Sequence, residues 1–190
     1  MTSSQDSGMA PAAEPTSPAL LALLRDGTLA GSWTLDPARS EVRLKTRHTW
    51  GLRPLHGVFR QVSGHGTVTA AGDVSGVITV AAESIDTKNS TRDKHLRSAD
   101  FFDIANHQDL TFTVDGVSPA DGGIRITGSL TVRGRTRDAA IDAKVSRTDG
   151  EVQLDGELRV NRADFGLTWN WMGIAAMDNT IVVHAVFTRQ

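Results

Sequence analysis

Apolar and polar residues alternate along most of the chain, with the period of two that is typical of half-buried β-strands. The clearest case is residues 123–133, where Ile124, Ile126, Leu130 and Val132 share one face and charged or hydroxyl residues share the other. The pattern predicts about eight strands, separated by turns rich in Gly and Asp. The other predicted strands cover residues 42–48, 58–68, 74–82, 110–114, 139–145, 152–160 and 180–188.

Eight antiparallel strands with one apolar face each form either a sandwich or a closed barrel. The long strands favour a barrel, and so do three glycines on the apolar faces, Gly76, Gly128 and Gly156. Glycine on an interior face either relieves crowding or opens a cavity. An eight-stranded barrel is just wide enough to hold one ligand. The predicted fold is therefore an all-β, eight-stranded antiparallel barrel over residues 31–190.

The alternation stops at residues 84–103, SIDTKNSTRDKHLRSADFFD. A helix is predicted over residues 91–98, with Asn89 or Ser90 as its N-cap. The aromatic pair Phe101 and Phe102 follows. A polar helical insert that ends in two aromatic residues indicates a lid on the barrel.

The segment before the barrel has two parts. Residues 1–17 are rich in Ser, Ala and Pro and are predicted to be a disordered tail. Residues 18–30 are predicted to form a short helix and a linker. Such a short helix is unstable alone. Its leucines are therefore expected to pack either on the barrel exterior or on a partner chain. The second alternative would make the protein a homodimer.

The barrel interior is the first candidate site. Its aliphatic and aromatic side chains form either a filled core or an apolar tunnel, and the glycines with Ala82, Ala139 and Ala143 favour the tunnel. Burial of a hydrocarbon chain there would contribute about 0.8 kcal/mol per CH₂. The predicted ligand-binding residues, which include a plug and two tryptophans at the mouth, are Phe59, Ile78, Val80, Phe112, Ile126, Leu130, Ile141, Leu158, Val160, Phe165, Trp169 and Trp171.

Three cationic or titratable residues are candidates for a polar gate that recognises a ligand head group: Arg92, His95 and Arg162. The simpler interpretation is a solvated helix with ordinary structural ion pairs. No two of the six histidines are two or four residues apart, and no nucleophile or phosphate-binding motif is present. No catalytic residue, metal site or cofactor is therefore predicted.

Composition narrows the partners. A formal net charge of −2 argues against a nucleic-acid partner, which normally requires a basic face. No apolar run is as long as the roughly 20 residues of a membrane-spanning helix or the roughly 7–15 residues of a secretory signal. We therefore expect a cytoplasmic protein that does not span a membrane.

Several motifs resemble those of the YceI-like family. They are SIDT at residues 84–87, RDKHLRS at 92–98, DFFD at 100–103, GSLTVRG at 128–134 and NRADFG at 161–166. The resemblance implies a lipocalin-like barrel that binds a lipid, in particular a polyisoprenoid such as a quinone or polyprenyl chain. The chain departs from the family pattern at Arg39, at His107-Gln108 and at Ala139-Ala140.

Three functions remain open at this point. The leading hypothesis is a non-enzymatic protein that transports, stores or sequesters a long isoprenoid or acyl lipid. The second is a stress-response or interaction module with a filled barrel. The third is an enzyme, for which no residue spacing stands out.

Overall fold

The computed structural model describes residues 17–48, 53–148, 150–169 and 176–190. It contains two α-helices, α1 (Ser17–Arg25) and α2 (Ser90–Arg97), and 3₁₀ turns at Ala82–Ser84 and Arg162–Phe165. The strand segments are β1 (Gly31–Leu35), β2 (Glu41–His48), β3 (Arg53–Phe59), β4 (Val62–Val68), β5 (Val74–Ala81), β6 (Ile85–Asp86), β7 (Asp109–Ala120), β8 (Gly123–Val132), β9 (Arg135–Thr148), β10 (Glu151–Asn161) and β11 (Asp178–Arg189).

These segments form a closed antiparallel barrel of eight strands, as predicted. Neighbours around the ring follow the order β1, β4, β5, β7, β8, β9, β10, β11, and β11 pairs back onto β1. The remaining segments continue ring strands past short interruptions. Because β11 pairs with β1 at Leu35 and with β2 at Glu41, β1 and β2 act as one bent strand. β3 with β4 and β5 with β6 are related in the same way.

Side-chain alternation places the core inside the ring. In β8 the aliphatic residues Ile124, Ile126, Leu130 and Val132 are buried, as their spacing predicts. β7 is longer than the predicted 110–114. A bulge between Val114 and Gly116 shifts its side-chain alternation by one residue, so a period-two pattern ends at Val114 although the strand continues. β1 was not among the predicted strands.

The barrel has two differently covered ends. The hairpins that join β4 to β5, β7 to β8 and β9 to β10 lie at one end, together with α1, and we call this the α1 end. The β8–β9 hairpin, α2 and the 3₁₀ turn Arg162–Phe165 lie at the opposite end, which we call the α2 end. The helical insert predicted as a lid therefore covers only one of the two ends.

Helix α1 packs into the barrel of its own chain. Leu20 and Leu24 are only 4% and 8% exposed, and Leu29 after the helix is 4% exposed. Gly27, at φ +75°, follows the last helical turn, as is common at helix C-termini. The expectation that these leucines pack on the barrel exterior or on a partner chain is therefore wrong, because they are buried against the barrel interior of their own chain. A homodimer stays a prediction. Of the tail predicted over residues 1–17, residues 1–16 lie outside the described residues and Ser17 belongs to α1.

Two interior glycines relieve crowding and do not leave space. A Cβ on Gly128 would lie 2.0 Å from the carbonyl oxygen of Thr113, and a Cβ on Gly156 would lie 2.6 Å from Cγ2 of Ile141. Both glycines let neighbouring strands approach closely. The interpretation of these two positions as room for a ligand is wrong.

Gly128→Ala should therefore destabilise the barrel, since the new methyl group meets backbone that cannot move without disturbing the β7–β8 ladder. We expect the free energy of unfolding in urea to fall by roughly 1–3 kcal/mol. Gly116→Ala is the matched control, because a Cβ there would be 3.6 Å from Thr127 Oγ1, an ordinary contact. The control should be neutral or slightly stabilising. Equal stability of both variants would contradict the crowding.

Candidate ligand cavity and the covered ends of the barrel

A cavity of about 140 Å³ lies inside the barrel at the α1 end. Its wall is almost wholly apolar. Gly66 and Gly76 face each other across β4 and β5 and contribute backbone to the wall. The apolar side chains in the wall come from α1 and its linker, from β1 and from the seven other ring strands: Leu20, Leu24, Leu29, Trp33, Val68, Val74, Val77, Ile78, Phe112, Val114, Val117, Ile124, Ile126, Ile141, Val152, Leu154 and Phe187.

Four of the predicted ligand-binding residues line this cavity: Ile78, Phe112, Ile126 and Ile141. Others lie elsewhere in the barrel core, where Phe59, Val80, Leu130, Leu158 and Phe165 are buried and Val160 is partly buried against them. Trp169 is 46% exposed and lies at the α2 end. Trp171 lies outside the described residues. Contact with a ligand remains a prediction for all of them.

The cavity contains residues that sequence analysis did not assign to it. Leu20 and Leu24 are four residues apart and share a helix face, but the spacing does not say which surface that face meets. Val114 and Val117 are three residues apart and both line the cavity. The bulge between Val114 and Gly116 makes this possible. A strict period of two would have placed these two valines on opposite faces.

Aromatic side chains fill the core beneath α2. The rings of Phe59 and Phe102 are 6.0 Å apart between centroids, and those of Phe101 and Phe102 are 5.0 Å apart, both edge-to-face. Leu96 of α2 is buried with them. Asn89 begins the helix, because its side-chain oxygen accepts a hydrogen bond from the backbone N–H of Arg92 at 2.9 Å. The predicted helix and its cap are therefore present.

A hydrogen-bonded cluster around Thr87 anchors α2 to the barrel. The Thr87 hydroxyl donates to the buried carboxylate of Asp93 at 2.5 Å and accepts from Arg92 Nε at 2.7 Å. The Thr87 N–H also donates to Asp93, and Arg92 Nη2 donates to the Thr87 carbonyl. Arg92, a predicted gate residue, therefore holds the helix to the strand that precedes it.

The turn just before α2 is also fixed by charge. Asp86 accepts hydrogen bonds from the backbone N–H and the Nζ of Lys88, and from Arg60. The Lys88 backbone and side chain, followed by Arg60, hold the pKa of Asp86 well below its usual range. Lys88 adopts φ +60°, so this short hydrogen-bonded turn stabilises a conformation that non-glycine residues rarely adopt.

Arg162 organises the segment after the second 3₁₀ turn. It is 5% exposed, and its Nη1 donates to the carbonyl oxygens of Leu167 and Trp169 at 2.6 and 2.7 Å. Its Nε donates to Ala176, and its guanidinium lies 5.8 Å from the ring centroid of Phe101. Burial lowers the pKa of Arg162. This predicted gate residue connects the aromatic core to the chain that returns towards β11.

His95 is the predicted gate residue with an unsatisfied polar atom. Its ring centroid lies 4.1 Å from the ring centroid of Trp169. Arg162 donates a hydrogen bond to the backbone carbonyl of the same tryptophan. Among the described residues, no partner accepts from or donates to its buried Nε2, and the same holds for the buried Oγ1 of Thr46. The structure thus joins His95 and Arg162 through the Trp169 segment, whereas Arg92 faces Thr87.

Comparison with known proteins identifies the family. Residues 33–188 match the family model of the YceI-like domain. The chain belongs to the YceI-like family. Helix α1 and Leu29 precede the matched region, yet Leu20, Leu24 and Leu29 form part of the cavity wall of this YceI-like barrel.

Curated relatives cover much of the same region. The chain is 28% identical to Protein YceI of Salmonella arizonae over 159 residues, which is 78% of this chain and 81% of that protein. It is 31% identical over 121 residues to the UPF0312 protein ECA1782 of Pectobacterium atrosepticum, where the match covers 60% of this chain and only 62% of the relative.

Solved structures share the fold. BcnA of Burkholderia cenocepacia superposes with a TM-score of 0.72 at 24% identity, over 80% of this chain and 98% of that one. A domain from Saccharophagus degradans, described as polyisoprenoid binding and implicated in plant cell wall breakdown, superposes with a TM-score of 0.66 at 15% identity, over 83% and 98%. Across the part of this YceI-like chain that is described, no helix has the length and apolarity needed to cross a membrane.

The Thr87 cluster predicts a stability effect. Thr87→Val removes a hydroxyl that serves both Asp93 and Arg92, so a buried carboxylate loses a donor. We expect the free energy of unfolding in urea to fall by roughly 1–3 kcal/mol. Thr91→Val, at an exposed position of the same helix, makes the identical chemical change and should be nearly neutral. A Thr87 variant as stable as its control would show that the cluster does not anchor α2.

Proposed function

We propose that the barrel binds an apolar lipid chain, of the prenyl or acyl type, for transport, storage or sequestration, with no chemistry of its own. The observation that carries this proposal is the cavity of about 140 Å³ inside the barrel, whose wall is almost wholly apolar. Buried polar groups fix ligand orientation in most small-molecule sites. A site without them favours a ligand whose affinity comes from hydrocarbon burial.

The size and lining of the cavity agree with this proposal. An apolar cavity of roughly 150 Å³ stays dry and takes up a ring as large as benzene. The present cavity therefore has room for about one five-carbon isoprene unit. Each CH₂ buried there would contribute about 0.8 kcal/mol. The likeness of the fold to a domain described as polyisoprenoid binding supports a prenyl chain over other hydrocarbons.

A long polyisoprenoid, such as a quinone or polyprenyl chain, is the finer part of the proposal. It would need more space than the cavity offers, so part of the wall must then move. The cavity lies at the α1 end, whereas Arg92, His95 and Arg162 lie at the α2 end, so recognition of a head group by these residues remains a prediction. Arg92 already uses its Nε and Nη2 in contacts to Thr87. A cytoplasmic location remains a prediction.

One observation favours the second function, an interaction module with a filled barrel. The core beneath α2 is filled by interlocking aromatic rings, including Phe59, Phe101 and Phe102. The cavity at the α1 end distinguishes the two proposals, because lipid binding requires such a space and a fully packed barrel would not contain one.

Mass spectrometry of an organic extract of the purified protein tests the proposal. We expect a stoichiometric prenyl or acyl lipid, or uptake of one when it is added from phosphatidylcholine vesicles. An extract without lipid, from a protein that also takes none up, would contradict lipid binding and favour the interaction module.

A pair of substitutions tests the position of the site. Ile126→Trp adds volume inside the cavity, so bound lipid should fall several-fold while the melting temperature changes little. Leu130→Trp makes a comparable change on the same strand but outside the cavity, next to Phe112. It should overpack the core and cost roughly 1–3 kcal/mol. If Ile126→Trp destabilises as much as Leu130→Trp and leaves lipid content unchanged, the cavity is not the binding site.

A further inference from the structure

The part of the cavity wall formed by residues 17–29 differs in origin from the rest. Leu20, Leu24 and Leu29 line the cavity beside Trp33, and all three are nearly fully buried. The match to the YceI-like domain begins at residue 33. This chain therefore closes the α1 end of a YceI-like barrel with a segment that lies outside the matched domain.

The same segment is attached differently from the rest of the wall. Every ring strand is hydrogen-bonded to two neighbours, so no strand leaves without breaking a backbone ladder. Thr28 and Leu29 accept hydrogen bonds from Arg189 Nη2 and Trp33 Nε1, which pins the end of the segment. Helix α1 itself is seated by its leucines. Their burial is the same kind of interaction that a hydrocarbon ligand would make.

Space is the decisive constraint. With α1 seated, the cavity takes about one isoprene unit, on the scale of an apolar cavity that binds benzene. A chain of several units exceeds this volume. Helix α1, which carries Leu20 and Leu24, can leave the wall without breaking the barrel ladder, so the position of these two leucines offers the longer chain the space it needs.

We propose that α1 determines the chain length of the ligand: Leu20 and Leu24 limit the cavity to a short apolar group, and a long chain binds only by displacing them. This inference rests on the proposed lipid-binding function. The displacement reduces the apparent affinity for long chains by the fraction of molecules in which α1 is unseated. Short chains bind beneath the seated helix and bear no such penalty.

Two double variants of the full chain test this proposal. Leu20→Ala with Leu24→Ala removes the cavity-lining side chains of α1. Leu21→Ala with Leu23→Ala makes the same chemical change at partly buried leucines that do not line the cavity. The probes are prenol, a single isoprene unit, and a polyprenyl alcohol of many units with the same hydroxyl head, both delivered from phosphatidylcholine vesicles.

The ratio of the two affinities is the measurement. The Leu20/Leu24 variant should bind the polyprenyl alcohol at least about tenfold more tightly, relative to prenol, than the parent does. The Leu21/Leu23 control should keep a ratio closer to that of the parent. An unchanged ratio in the Leu20/Leu24 variant, with both probes bound, overturns the proposal. Failure of every protein to bind either probe would instead overturn the lipid-binding function.

Hydrogen exchange on the unaltered protein gives a second test, which does not depend on the stability of any variant. Saturation with the polyprenyl alcohol should remove protection from the amides of residues 20–25, whereas saturation with prenol should preserve or increase it. Amides in β8 serve as the internal control and should keep their protection in both cases. Full protection of α1 with the long chain bound would show that the chain does not displace the helix.

Discussion

The pairing of β1 with β11 is the interaction on which the rest of the structure depends. It joins Trp33 to Arg189 and Leu35 to Phe187, and it turns a sheet into a ring. Closure satisfies the backbone of both terminal strands and forces one face of every strand inwards. The apolar residues of the alternating pattern therefore face the barrel interior. The volumes of their side chains decide whether that interior is filled.

Trp33 connects this closure to the cavity. Its indole lines the cavity, its Nε1 donates to the Leu29 carbonyl, and the guanidinium of Arg189 lies 5.0 Å from its ring centroid. Arg189 also donates to Thr28. The residues that close the ring therefore also hold the end of the α1 segment. The barrel and its N-terminal cover share an attachment point, although α1 itself precedes the matched domain.

The ring, α2 and its cap follow from local rules, and for this reason the sequence predicts them: period-two alternation, turn glycines and an Asn N-cap. The site depends on non-local packing, which is less accessible. The glycine at residue 128 looks the same in sequence whether it opens space or admits a neighbouring backbone, and only the position of Thr113 decides. Because of the bulge in β7, a strict period of two does not predict that Val117 faces the interior. The spacing of the leucines in α1 predicts an apolar helix face but does not show that this face packs into the barrel mouth.

The proposed competition between α1 and a ligand follows from the nature of the hydrophobic effect. The effect depends on the apolar area removed from water and carries little directional information, so a cavity that accepts prenyl carbons also accepts leucine side chains. The net affinity for a chain is thus the difference between the burial of its carbons and the burial of Leu20 and Leu24. Each further CH₂ adds about 0.8 kcal/mol to one side. In the proposed competition, the apolar area that α1 buries is set by its sequence, so ligand length is the variable that decides which of the two occupies the α1 end.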